Sequence, residues 1–129
     1  MEHIEGIDRR IFERIPVNLS MRFMDMDSND WQLVQTQDMS AKGIGVVTER
    51  DVPLYTPLEI WLPIVNKGES YYTRGQVVWS KTLEDNKYRV GIELEKPDFM
   101  GISQVLRAAN VLRSAATSEE APYQLPPSL

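Results

Sequence analysis

Arg9, Arg10 and Arg14 cluster in "DRRIFERIPV", residues 8–17, just ahead of the first strand-like run of a chain whose net charge is −5. A guanidinium is planar, permanently charged and forked, so it grips two acceptors at once. Two chemical surfaces suit that fork: a phosphate, and the O6/N7 edge of guanine. Several arginines on one segment would therefore clamp a ligand that carries both. Arg10 and Arg14 would share a face if the segment were helical. Pro16 disfavours helix at Ile15, and an extended or hooked segment fits at least as well. Downstream, "DMSAKGIG" sets Asp38, Ser40 and Gly43 at D-x-S-x-x-G spacing. Asp38 and Ser40 are expected to fold a turn through side-chain to backbone hydrogen bonds. Gly43 is suited to a positive φ or to a ligand lying against the backbone. The Asp38 carboxylate is also an acceptor for the N1–H and N2–H₂ donors of guanine. Taken singly, the arginines read as solvated surface charge and the second segment as a tight turn.

The elements that must position these residues read mainly as strands. Val17, Leu19, Met21 and Phe23 alternate with polar residues, as do Leu58, Ile60, Leu62 and Ile64, and Tyr88, Val90, Ile92 and Leu94, the pattern of half-buried strands. "YYTRGQVVWSK" is a longer run, and Gly75 within it signals a bulge or a close backbone approach. "WQLVQTQ" and "GIGVVTE" complete six, with turn signals between all of them. The expected fold is mainly β, a six-stranded antiparallel, Greek-key-like barrel, because closure removes exposed edges. After Pro97 the spacing of Phe99, Ile102, Val105, Leu106, Ala109 and Leu112 predicts an amphipathic C-terminal helix with Asp98 as its N-cap. Arg107 and Arg113 belong to its polar side. Trp79 ends the fifth strand, where it serves either the core or a stacking surface, the latter contributing about 1–3 kcal/mol per base. Residues 1–116 read as one domain with an arginine switch segment at about 5–16, and 117–129 as a flexible tail rich in Pro, Ser and Glu.

Arg10 and Arg14 at R-x-x-x-R spacing, then Asp38, Ser40 and Gly43, then the strands "GQVVWS" and "YRVGIELE", resemble the PilZ domain family, bacterial receptors for cyclic di-GMP. The resemblance spans roughly residues 8–114. It implies a barrel that binds the dinucleotide on its outside, with the arginine segment closing over phosphates and guanine edges. By position, Arg9, Arg10 and Arg14 match the family's arginines, and Asp38, Ser40 and Gly43 match its turn, which the resemblance implies is ligand-binding, contacting one guanine and the backbone beside it. Trp79 matches an aromatic that some members place near a base. Some members take an intercalated dimer of the ligand, others a single molecule. The implied role is a cytoplasmic second-messenger receptor that signals to a partner protein in motility or biofilm control. The alternative is a member that keeps the barrel as an interaction module and binds no nucleotide.

Composition narrows the remaining classes. A net acidic chain lacks the broad basic footprint of a DNA or RNA binder. No run approaches the roughly 20 apolar residues of a membrane span, and the N-terminus lacks the apolar stretch of a secretory signal. No cysteine is present and His3 is the only histidine, which excludes thiol chemistry and multi-histidine metal centres. "DMDSND" starts like a calcium loop, but Asp30 and Thr36 stand where Gly and Glu are needed. Ser40 has no base for a triad. A non-enzymatic binding protein without metal or cofactor is expected, and hydrogen bonds to charged groups of about 1.5–3 kcal/mol each suffice for micromolar binding.

Overall fold

The computed structural model describes residues 13–84 and 86–111. Arg9, Arg10, most of the arginine segment, His3, Leu112, Arg113 and residues 117–129 lie outside them. The strands are β1 (Ile15–Pro16), β2 (Ser20–Asp25), β3 (Trp31–Met39), β4 (Gly43–Thr48), β5 (Pro57–Ile64), β6 (Glu69–Glu84) and β7 (Lys87–Leu94), followed by helix α1 (Phe99–Ala108). The six long strands run β3-β2-β5-β6-β7-β4, and β4 pairs back to β3. All pairings are antiparallel. The sheet is thus a closed barrel, and the β4–β5 crossover gives it Greek-key character. Alternation sends Met21, Phe23, Ile44, Val46, Leu58, Ile60, Leu62, Val77, Val90 and Ile92 inward, and Ile102, Val105 and Leu106 of α1 join the same core. Outside, Arg22 lies over the rings of Trp31 and Trp61, at 5.0 and 5.7 Å, and Trp61 packs on Tyr72. This cross-strand ladder ties β2, β3, β5 and β6 together.

The first expected strand is broken. Residues 17–19 loop out between β1 and β2, and Thr36 fills the gap: its hydroxyl donates to the Val17 carbonyl and accepts from the Leu19 N–H. Gly75 marks a close approach, since a Cβ there would lie 2.6 Å from the Glu93 carbonyl oxygen. The irregularities in β6 fall instead between Val77 and Trp79 and between Thr82 and Glu84. Asp98 caps α1 by accepting the Gly101 N–H at 2.9 Å, and it also accepts the Tyr71 hydroxyl at 2.7 Å. Burial first, then this carboxylate, push the Tyr71 phenol up to about 12. Arg107 is only half-exposed and donates to the Ser103 hydroxyl one turn earlier. Asp25 organises the "DMDSND" hairpin by accepting the Asp27 and Ser28 N–H groups. Among the described residues no acidic or histidine cluster is arranged to hold a metal, and no helix is long and apolar enough to cross a membrane.

Candidate functional site

The register aligns four outward positions in one row. Asp38 of β3 stands opposite Gly45 of β4, Gly45 opposite Gly91 of β7, and Gly91 opposite Trp79 of β6. The two central positions have no side chain, and the flanking side chains lean across them. A Cβ on Gly45 would lie 2.6 Å from Asp38 Oδ1 and 3.4 Å from Arg14 Nη2; one on Gly91 would collide with the Trp79 indole. Carboxylate and indole thus lie on a glycine floor on the barrel's outer wall. A register irregularity between Thr36 and Asp38 adjusts β3 just ahead of this row, the usual device for re-aiming a strand side chain.

Two arginines converge on Asp38. Arg14, entering β1, places Nε 3.1 Å from Oδ1, and Arg89 of β7 donates from Nη2 to Oδ2 at 3.2 Å. The Arg14 contact is an ion pair without hydrogen-bond alignment, so Oδ1 is a buried acceptor with no aligned donor among the described residues. Arg89 also sits beside Trp79, its Cζ 5.9 Å from the ring centroid, within cation–π range. Two guanidiniums against one carboxylate leave the spot net positive on an acidic molecule. Two grooves flank Arg14. One, about 340 Å³, is lined by Arg14, Lys42, Gly43, Trp79, Gly91 and Glu93. The other, about 550 Å³, is lined by Arg14, Asn18, Gln37, Asp38 and Arg89. A larger groove of about 620 Å³ adjoins the first through Lys42 and Glu93 and runs between Arg74, Gly75, Glu95 and Pro97. It is lined by none of Arg14, Asp38, Trp79 and Arg89.

Of the residues singled out in the sequence, Arg14, Asp38, Gly43 and Trp79 come together here; Arg9 and Arg10 lie outside the described residues. Ser40 is buried behind them in the β3–β4 hairpin, where its hydroxyl accepts the Lys42 N–H and its own N–H bonds the Gly43 carbonyl. One expectation needs correction, and the alternatives left open for Gly43 and Trp79 are narrowed. Asp38 does not fold the turn: its carboxylate is spent on the two arginines, which leave its side chain only 14% exposed rather than open to solvent. Gly43 has no positive φ; it begins β4, and a Cβ there would meet the Ile92 carbonyl oxygen at 2.5 Å. Trp79 does not share the core with fully buried Val77: it is 39% exposed, because the irregularity between them turns it outward. Gly45, Gly91 and Arg89 were missed. The alternation in "GIGVV" and "YRVGIELE" marked them as outward-facing, but only the strand pairing sets them beside Asp38 and Trp79.

The family model for the PilZ domain matches residues 8–108. Among solved structures, the PilZ domain of YcgR from Escherichia coli with c-di-GMP superposes at a TM-score of 0.58, with 14% identity, over 90% of this chain and 100% of that one. The PilZ domain of CeSA from a cellulose synthesizing bacterium gives 0.53 and 18%, over 76% and 95%. The Bacillus subtilis inhibitor of motility, MotI/DgrA, gives 0.57 and 11%; the match takes in 85% of this chain and about half, 51%, of that protein. At such identities the likeness concerns the fold. No curated protein sequence matches the chain.

Proposed function

Because the chain belongs to the PilZ domain family, we propose that it is a receptor for cyclic di-GMP and that the Asp38–Gly45–Gly91–Trp79 row is the floor of its binding site. One observation carries the reading: a carboxylate, two guanidiniums and an indole with room above it meet at one place on the outer wall. A ligand with phosphates and guanines needs those three chemistries. Arg14 supplies a guanidinium for phosphate or a guanine edge, Arg9 and Arg10 add to it from the preceding segment, and Trp79 offers a stacking face. Ser40 and Gly43 hold the hairpin that fixes the end of β3. The YcgR domain of the same fold holds c-di-GMP, which supports the choice of ligand. The reading calls for no cofactor and no catalytic step, and it ends in a signal passed to an effector protein.

Isothermal titration of the whole chain with cyclic di-GMP tests it. Micromolar or tighter binding is expected, with a loss of tenfold or more in Arg14→Ala and in Asp38→Asn, on the order of one or two charged hydrogen bonds. A folded wild type that takes up no dinucleotide would leave the interaction-module reading in its place.

A further inference from the structure

Arg89 is the charged residue at the row that neither sequence motif contains. Its side chain spans the site, with Nη2 on Asp38 Oδ2 and Cζ near the Trp79 ring. Its Nε is nevertheless buried and has no acceptor among the described residues, and Asp38 Oδ1, though ion-paired with Arg14, also lacks an aligned donor there. Buried polar atoms are nearly always paired, so two orphans at one place need a reason. A guanidinium is a flat fork of five donors; only one of Arg89's has a partner that the structure records, and the side chain is 40% exposed. It is therefore held in place by Asp38 with donors to spare.

Resting on the cyclic di-GMP reading, we propose that Arg89 is a further ligand-binding residue, whose free donors read the O6/N7 edge of a guanine stacked on Trp79, with Asp38 as its positioning residue. Trp79 is seated on Gly91 and stays 39% exposed. A base on the exposed part of the indole would lie beside the strand that carries Arg89, two residues before Gly91 on the same side of β7. O6 and N7 are both acceptors, the pattern that an arginine fork matches bidentately. Lysine keeps the charge but not the fork, so charge and geometry can be separated.

The test is titration of wild type, Arg89→Ala and Arg89→Lys with cyclic di-GMP and with its 7-deazaguanine analogue, which lacks the N7 acceptor. Both variants should bind cyclic di-GMP about tenfold or more weakly. The wild type should lose affinity for the analogue, and Arg89→Ala should lose clearly less. Thermal melting of each protein separates weak binding from poor folding, and Arg89→Lys decides if Arg89→Ala does not fold. Variants as tight as wild type would overturn the role of Arg89 and leave the receptor reading standing. An Arg89→Ala variant that is weak but loses as much affinity for the analogue as the wild type does would overturn the guanine-edge assignment. A wild type that binds neither ligand would overturn the receptor reading and this one with it.

Discussion

Asp38 and Trp79 occupy their positions because their neighbours across the sheet are glycines. Gly45→Ala puts a methyl group 2.6 Å from the Asp38 carboxylate oxygen, and Gly91→Ala drives one into the Trp79 indole. Both positions are outward and neither has a positive φ, so the barrel core is untouched by either change. Each variant is expected to stay folded at a cost of about 1–3 kcal/mol for the displaced side chain, and to lose cyclic di-GMP affinity by about tenfold or more through the displaced partner. Paired melting and titration measurements check this; full affinity in both variants would show that the glycine floor is incidental. At this scale the sequence was partly readable. Arg14, Asp38 and Trp79 stood out by type and spacing. Gly45, Gly91 and Arg89 did not, because their meaning comes from strand pairing across residues far apart in the chain.

The strands and the helix were legible as elements because their apolar periods, two and then three to four, are strong signals. Their irregularities were not. The loop at residues 17–19 depends on the Thr36 hydroxyl replacing two backbone partners, and the turn of Trp79 to the surface depends on one residue of slack against β7. The cap at Asp98 was legible; its second duty, accepting the Tyr71 hydroxyl, was not. That bond predicts a pH effect. The folded Tyr71 phenol, at about 12, lies above its ordinary value of 10.0. The neutral form is the one the fold favours, so its stabilising contribution is complete below about pH 10 and fades as pH rises through about 12. The difference in phenolate absorbance between wild type and Tyr71→Phe should place this ionisation near 12; ionisation near 10 would show that the hydroxyl is not held. Asp98→Ala should cost about 1–2 kcal/mol in unfolding free energy as a lost cap.

Over the whole molecule, an acidic barrel presents a small cationic spot on one part of its wall and an aromatic ladder on another. That separation suits a compact dianion better than a polymer, whose affinity would need an extended basic track. It also places the three tryptophans in different environments: Trp79 on the glycine floor, and Trp31 and Trp61 under Arg22 in the ladder. The measurement that tests the central claim most directly is the amide and indole N–H spectrum of the ¹⁵N-labelled chain during titration with cyclic di-GMP. The account predicts that the Trp79 indole and the Gly45 and Gly91 amides shift together and saturate, while the Trp31 and Trp61 indoles stay in place. Saturable shifts confined to the ladder tryptophans, with Trp79 and the two glycines unmoved, would contradict it.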